Sequence, residues 1–567
     1  MRRREFLQRV GVAAPVAMVG GNAAASAARQ PQHPSTADPR VMVYDDGRHG
    51  APLYQFSPPP DPKSFVFSVD QLVSTGVDTL VYMVGLEGGM ALYDSRVSQK
   101  WGDNIKKWTH PVFYRAARQL RELIANGHDP LKLLCDRCHE KGMFFVAANW
   151  LGLQGGSKIP SRGFGRKSDF VYDHPQYEVG DENDPRAQNI DSQRFSWLHE
   201  GVREERFRVY EELLVRYETD GVELNLAEFV PLCKFNEVDR VAPLLTNWIH
   251  RLREAAERGA TAQGIKKRIY VRIPAYPEVW KALGYDVETW ARDGLVDGLV
   301  CMGGTMESPI DHGPDLSAAV AACEGTNCKT LVGFSDLLGR QFERAATPEM
   351  IWGAAANGYA QGADGFAIVE YHFTPNGFPL TEEDVWTLRL LPHPDLLASA
   401  DKLYRARSVR RGMQNEPDWT IRDKITLPAT LNVGQPVSAT VRVADDVAAV
   451  QADGRLESIH LRVRLTSIEP SLNDVRVTLN GKELPESLLR LEDLTYRLYK
   501  LGAINPYGFI YEFALTPEFF PKQGENVVAV TLVKKDPDID VEMGVYDVDC
   551  PIRYRVHRNF NEQPIDY

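Results

Sequence analysis

Residues 220–229 read Asp-Gly-Val-Glu-Leu-Asn-Leu-Ala-Glu-Phe and alternate apolar with polar side chains after a long amphipathic segment. In a β-strand this period of two produces an apolar face and a second face that carries two polar groups. The faces consist of Val222, Leu224 and Leu226 on one side and of Glu223, Asn225 and Ala227 on the other. Polar groups on an inner face are costly unless they are hydrogen-bonded or functional. We interpret the stretch as an active-site strand; an internal polar layer with its own partners is the alternative.

The same kind of run recurs along the chain from Val41 onward, each time separated by an amphipathic segment. Predicted strands cover residues 41–44, 79–85, 143–149, 221–228, 268–273, 298–302, 330–334 and 365–370. Eight strand–helix repeats are the number in a (β/α)8 barrel, and near-continuous apolar strands are typical of a buried parallel sheet. A doubly wound open sheet is the alternative, although no G-x-G-x-x-G or Walker sequence supports a nucleotide-binding version.

The pattern changes after about Arg411, where helical signals fade and short alternating segments begin. Asn480-Gly481 is a strong hairpin signal between two of these segments. We predict a (β/α)8 TIM barrel over 41–410, an all-β, jelly-roll-like sandwich over 411–557 and a tail over 558–567. The phrases at 479–482 and 524–527 resemble jelly-roll modules appended to many carbohydrate-active enzymes.

The N-terminus has the features of an export signal. Paired arginines and Phe6-Leu7 precede a mildly apolar run, and Ala25-Ser26-Ala27 is a small-residue cleavage site. This order is typical of a twin-arginine signal, here 1–27, followed by a polar linker over 28–40. We therefore expect an exported protein, periplasmic or extracellular; an unprocessed membrane anchor or a disordered tail is the alternative.

Composition excludes several classes of function. The 567 residues are 43% hydrophobic and carry a net charge of −12, which argues against nucleic acid or an anionic membrane as the main partner. The body of the chain has no apolar run of transmembrane length, so we expect no integral membrane association. Seven cysteines are too few for a disulfide scaffold, and the C-x-x-C at 135–138 lacks the second pair of a zinc site. No cofactor or metal is predicted, and the oligomeric state, including a homo-oligomer, stays open.

Candidate site residues follow from the barrel, because side chains at the C-terminal ends of its strands surround one pocket. The candidate catalytic carboxylates are Glu228, Glu370, Glu223 and Asp336. The candidate substrate-binding residues are Asn225, Arg272, His372, Asn149, Trp150, Tyr276 and Glu307. Paired carboxylates suit glycosidic bond cleavage, in which one is a protonated acid and the other an anion.

Several of these residues have a second interpretation. Glu223 could be the structural partner of Arg272 on the adjacent strand. Glu228 reaches the pocket only if the chain turns at the end of its strand. Asp336 could instead cap the following helix. The basic loop 158–167 could grip an anionic sugar, or it could be a solvated loop.

Four phrases, at 217–225, 268–274, 284–290 and 294–297, resemble a glycosyl-hydrolase-like barrel family of environmental bacteria. The resemblance spans roughly residues 41–400 and implies a (β/α)8 fold and action on glycosides. Such barrels often have an aspartate where this chain has Asn225. The family 18 chitinase pattern D-x-x-D-x-D-x-E is matched only at Asp220, so a substrate-assisted mechanism is not expected.

The sequence therefore predicts a glycoside hydrolase that cleaves O-glycosidic bonds in a poly- or oligosaccharide. A non-catalytic carbohydrate-binding protein on a degenerate barrel is the first alternative, and Asn225 is the feature that supports it. A lyase or a metal-dependent hydrolase that uses Asp45 and Asp46 is the second.

Overall fold

The structure is a computed structural model. It describes residues 38–47, 53, 60–156, 163–180, 193–228, 230–303, 310–335, 346–369, 380–408, 427–493 and 508–555.

Eight parallel strands close into a barrel in the order of the chain, with β8 paired to β1. The strands are β1 Val41–Asp45, β2 Thr79–Met83, β3 Phe144–Trp150, β4 Gly221–Asn225, β5 Arg268–Pro274, β6 Gly298–Met302, β7 Lys329–Ser335 and β8 Gly365–Val369. The predicted TIM barrel is confirmed, and the doubly wound alternative is wrong because the sheet is closed.

The two faces of β4 point as the alternation predicts. Val222, Leu224 and Leu226 are fully buried in the hydrophobic core that extends outward from the strands to the helices. Ala227 belongs to the separate apolar cluster inside the barrel, together with Tyr44 and Tyr270. The polar residues of β4 therefore face the barrel interior.

Helices cover the outside of the barrel, and several begin at a side-chain cap or a proline. They are α1 Pro62–Phe65, α2 Phe67–Asp70, α3 Pro111–Ala125, α4 Pro130–Glu140, α5 Asp169–Asp173, α6 Glu200–Val215, α7 Val238–Gln263, α8 Pro277–Leu283, α9 Val287–Arg292, α10 Ser317–Cys323, α11 Pro348–Ala360, α12 Glu382–Leu390 and α13 Pro394–Leu397. None of the helices in the described ranges has both the length and the apolarity to cross a bilayer.

An aspartate precedes every even-numbered barrel strand and ties it to the strand before. The carboxylates of these residues accept backbone N–H groups at the starts of β1, β3, β5 and β7, from Val41, Phe145, Ile269 and Thr330 at 3.2, 2.8, 2.8 and 3.0 Å. The residues are Asp78, Asp220, Asp297 and Asp364. Gly221 follows one of them, and a Cβ there would collide with the carbonyl oxygen of Arg268. The Asp-Gly step that opens β4 thus bonds to β3 through Asp220 and allows β5 to approach closely at Gly221.

Two antiparallel sheets follow the barrel and share one hydrophobic core, as predicted for a β-sandwich. Their strands are β9 Lys402–Arg405, β10 Ala429–Thr430, β11 Pro436–Val443, β12 Leu456–Thr466, β13 Asp474–Leu479, β14 Lys482–Glu483, β15 Leu489–Asp493, β16 Gly508–Ala514, β17 Gly524–Lys534 and β18 Gly544–Tyr554, with a short helix, α14, at Val447–Ala452. One sheet has the order β10-β18-β12-β16-β15 and the other β11-β17-β13-β14. The strand β9, which precedes the predicted start of the sandwich, pairs with β18.

Candidate active site

A buried ion pair joins neighbouring strands inside the barrel. Arg272 on β5 donates from Nε and Nη2 to Glu223 Oε1 on β4, at 3.1 and 3.0 Å, and neither side chain is exposed. Burial raises the pKa of Glu223 to about 7, and the neighbouring guanidinium opposes that rise. The guanidinium carbon also lies 4.1 Å from the ring centroid of Tyr44. The structural partnership between Glu223 and Arg272 that the sequence left open is therefore present.

Asn225 turns the chain directly after β4. Its Oδ1 accepts the backbone N–H groups of Ala227 and Glu228, each at 3.2 Å, which is the hydrogen-bond pattern of an Asx-turn. Its Nδ2 donates to Glu228 Oε2 at 2.8 Å. The turn thereby brings the Glu228 carboxylate back over the strand end from which Asn225 projects, as its access to the pocket requires.

Arg272 lies between two carboxylates, because its Nη1 is also 3.8 Å from Glu228 Oε2. That distance is too long for a hydrogen bond and is suited to a bridging oxygen. Three buried polar atoms in this region, Glu223 Oε2, Arg272 Nη1 and the Tyr44 hydroxyl, make no hydrogen bond to another described residue. Since buried polar groups are ordinarily hydrogen-bonded, the cluster can bind a water or ligand oxygen between Arg272 and Glu228.

Asp45 and Asp46 lie at the end of β1, and both side chains are buried. Asp45 continues the outward-facing series of β1, and its Oδ1 accepts the backbone N–H of Gly47 at 2.9 Å. Burial, followed by the charge of Asp46, raises the pKa of Asp45 to about 7. Among the described residues no group of three or more His, Cys, Asp or Glu side chains could hold a metal ion. The alternative that uses Asp45 and Asp46 in metal-dependent chemistry stays a hypothesis.

The ends of β2 and β3 carry side chains that are bonded within the protein. Asn149 Oδ1 accepts the backbone N–H of Trp150 at 2.9 Å, and Trp150 packs inside the barrel. Arg166 forms an ion pair with Glu87, with Nη2 donating to Oε2 at 2.6 Å and Nε 2.6 Å from Oε1. Lys167, the other described basic residue of the loop at 158–167, donates to a backbone carbonyl. Both cations are therefore bonded within the protein, and they do not support the binding of an anionic sugar by this loop.

Arg407, which the sequence analysis missed, lies beside a predicted site residue. Its guanidinium carbon is 5.1 Å from the ring centroid of Tyr276, and the group forms an ion pair with Asp311. Gly303, directly after β6, makes room for this pair, because a Cβ there would collide with the Asp311 carboxylate. Arg407 follows β9, so the segment that joins the sandwich delivers a cation to the C-terminal end of the barrel. Because Arg407 is far along the chain from Tyr276 and Asp311, the sequence gives no sign that these residues meet.

The structure thus brings Glu223, Asn225, Glu228 and Arg272 into one cluster. Asn149, Trp150 and Tyr276 lie at the ends of neighbouring strands. Four candidates fall outside the described residues, and their roles remain predictions: Glu370, His372, Asp336 and Glu307.

No protein-family model matches the chain, and no curated protein matches it. The chain is similar in structure to several glycoside hydrolases. An α-L-fucosidase from Paenibacillus thiaminolyticus is 15% identical with a TM-score of 0.41, covering 64% of this chain and 49% of its own. A family 36 α-galactosidase from Geobacillus stearothermophilus is 11% identical with a TM-score of 0.34, covering 88% and 56%. A glycoside hydrolase domain from Bordetella bronchiseptica is 14% identical with a TM-score of 0.37, covering 62% and 98%.

The chain spans about half the length of the fucosidase. The assignment of the fold rests on the closed strand order of the chain itself.

Proposed function

We propose that this protein hydrolyses O-glycosidic bonds in a poly- or oligosaccharide and that Glu228 is one of its catalytic carboxylates. The observation that carries the proposal is the position of Glu228, which follows the C-terminal end of β4 and is oriented by Asn225 and Arg272. Active sites of TIM-barrel enzymes lie at this end of the barrel. A carboxylate held at one oxygen by an amide and faced by a guanidinium is suited to act as an anion.

Glycoside hydrolysis needs a second, protonated carboxyl group near the leaving oxygen. Glu370 is the first candidate for this acid, with Asp336 as its competitor, and both assignments rest on the sequence. Glu223 is fully buried and bonded to Arg272, so we assign it a positioning role: it holds the guanidinium that faces Glu228. A water or sugar hydroxyl between Arg272 and Glu228 would complete the cluster.

A carbohydrate-binding protein without catalysis is the second candidate. It is favoured by the engagement of Glu223 in an ion pair, which leaves Glu228 as the acidic candidate at the end of β4. The two functions share the same pocket and differ in whether a bond is broken.

The test measures the release of reducing ends from a panel of neutral and anionic polysaccharides. The variants are Glu228→Gln and Glu370→Gln, with Glu140→Gln as the control, because Glu140 lies on the surface at the end of α4. Loss of release in the first two variants, with the control unchanged, supports the hydrolase. Sugar binding with no release from any substrate supports the binding protein. Inactivation by a chelator would instead favour metal-dependent chemistry.

We also propose that residues 1–27 direct export through the twin-arginine pathway. Replacing Arg3 and Arg4 together with lysine keeps the charge but removes the arginine pair. We expect the variant to accumulate uncleaved inside the cell. Undiminished export would refute this route.

A further inference from the structure

The segment that follows β9 is fixed to the sandwich and contacts the barrel. The backbone N–H of Ala406 donates to the Val548 carbonyl on β18 at 2.9 Å. The next residue is Arg407, whose guanidinium forms an ion pair with Asp311 and lies over the ring of Tyr276. The sandwich therefore determines the position from which Arg407 reaches the barrel.

Arg407 contacts two of the connections that leave the C-terminal end of the barrel. Tyr276 lies two residues after β5 and is the N-cap of α8. Asp311 follows β6, in the connection to α10. Tyr276 and Asp311 are buried and the Arg407 side chain is 10% exposed, so these contacts are stronger than they would be in water. One guanidinium thus ties the β5–α8 connection to the β6–α10 connection.

The β6–α10 connection has further contacts at the boundary with the sandwich. Asn357 on α11 donates from Nδ2 to two backbone carbonyls, that of His312 at 2.8 Å and that of Arg442 on β11 at 3.0 Å. The His312 ring is buried and lies edge-on to the ring of Tyr404 on β9, with centroids 6.3 Å apart. The barrel loop that carries Asp311 is therefore fixed against β9 and β11 of the sandwich.

The β5–α8 connection leads in turn to the candidate catalytic carboxylate. Tyr285, which follows α8, donates from its hydroxyl to the Leu226 carbonyl at 3.0 Å, and the Leu226 N–H donates to the Arg272 carbonyl at 2.9 Å. Leu226 lies in the turn that orients Glu228. Contiguous contacts therefore connect Tyr276, at the start of α8, with the turn that follows β4.

We propose that Arg407 is a positioning residue for the active site and that the sandwich is, through it, a structural part of that site. The proposal rests on the hydrolase proposed above. Arg407 holds Tyr276, and with it the turn of Glu228, in the arrangement that acts on the sugar. This role needs a guanidinium, because the planar group can pair with a carboxylate and cover an aromatic ring at the same time. A lysine would keep the ion pair with Asp311 but present only a compact charge to the ring.

The experiment compares the full-length protein with Arg407→Met and Arg407→Lys. For each protein, kcat and KM are measured on the best substrate of the polysaccharide panel, together with the melting temperature. A misplacement of about 1 Å can cost about a hundredfold in rate, so we expect Arg407→Met to lower kcat/KM by about tenfold to a hundredfold. Arg407→Lys should recover the melting temperature but not most of the loss in kcat/KM.

The matched control is Arg462→Met, the same replacement in an ion pair within the sandwich. Arg462 on β12 donates to Glu512 on β16 at 2.6 Å. We expect this variant to have a lower melting temperature and an unchanged kcat/KM.

Amide hydrogen exchange, followed by mass spectrometry, provides a measurement that does not depend on activity. Arg407→Met should increase exchange in residues 275–285 and 310–316, whereas Arg462→Met should not. If the wild type hydrolyses no substrate, the proposed hydrolase is refuted, and the exchange result still shows whether Arg407 fixes the two connections. Unchanged exchange in both segments would refute the positioning role by itself.

Three kinetic results would overturn the inference while the hydrolase stands. An unchanged kcat/KM in Arg407→Met would show that its contacts do not position the site. A full recovery of kcat/KM in Arg407→Lys would show that any cation suffices, and an equal loss in Arg462→Met would show that lower stability is the cause. If Arg407→Met does not fold, Arg407→Lys decides alone, since it keeps the charge that pairs with Asp311.

Discussion

Replacing Arg272 with methionine tests whether the buried cluster is electrostatically coupled. The variant keeps an unbranched side chain in the same space but removes the cation that bonds the Glu223 carboxylate among the described residues, and that side chain is fully buried. Removing one member of a buried ion pair costs about 3–5 kcal/mol, because the other charge is left uncompensated. We therefore expect a loss of about 3–5 kcal/mol in the free energy of unfolding at pH 8.

The loss should depend on pH in a direction set by Glu223. Its pKa is raised from 4.5 to about 7 in the folded protein, so its stabilising contribution is fully present below pH 4.5 and disappears as the pH rises through 7. The Arg272 guanidinium opposes that rise, so its removal should raise the pKa of Glu223 further. The range of pH over which stability falls should then extend above pH 7. Over that range the variant should lose up to about 1.4 kcal/mol per pH unit relative to the wild type. At pH 5, where Glu223 is protonated, we expect the effect to be smaller.

Urea denaturation at pH 5 and pH 8, followed by tryptophan fluorescence, measures this effect. The signal reports mainly the barrel, because nine of the ten tryptophans lie within residues 41–410. The matched control combines Arg272→Met with Glu223→Gln, which removes both charges and should recover much of the lost stability. The reasoning is refuted if Arg272→Met costs under about 1 kcal/mol at pH 8, or if the double variant is no more stable than the single one.

Three further substitutions test other parts of the structure. The pKa of Asp45 is raised from 3.8 to about 7, so the stability that its protonated form contributes is lost as the pH rises through 7. Asp45→Asn should therefore raise the free energy of unfolding at pH 8, by up to about 4 kcal/mol, and leave it unchanged at pH 4. Asp220→Ala removes a buried acceptor of a backbone N–H and the partner of His139 at 2.9 Å, and should lower the free energy of unfolding by about 2–3 kcal/mol. Lys402→Met breaks a buried ion pair with Asp445 at 3.0 Å and should lower the melting temperature of the sandwich in calorimetry, whereas adding Asp445→Asn should restore part of it.

The sequence predicts the barrel well because the strands are buried on both faces. Each predicted strand overlaps an observed one, and 298–302 matches β6 at both ends. The largest discrepancy is at β4, which was predicted to extend to residue 228 but ends at Asn225. The alternation of apolar and polar residues continues beyond Asn225. The Asn225 side chain, however, accepts the two backbone N–H groups that a longer strand would use in its ladder. Local side-chain hydrogen bonds of this kind compete with the ladder and leave the alternation unchanged.

The parts of the site that could not be predicted depend on contacts between distant residues. Arg407 and Asp311 are separated by 96 positions, and Arg272 meets the Tyr44 ring across the barrel interior. Neither pairing follows from the period of a strand. By contrast, the aspartates that precede the even-numbered strands are visible in the sequence, three of them as Asp-Gly steps, but their shared role becomes clear only once the strand order is known.

Asn225 is better understood as the partner of Glu228 than as a lost catalytic carboxylate. An aspartate could also accept the N–H groups of Ala227 and Glu228, but it has no N–H with which to bond the Glu228 carboxylate. It would instead place a second anionic oxygen about where Nδ2 now lies, 2.8 Å from Glu228 Oε2. Like charges so close cannot both remain ionised in a buried site, so one would take up a proton. The amide at 225 and the carboxylate at 228 are therefore complementary, and the departure from the family pattern does not by itself favour a degenerate barrel.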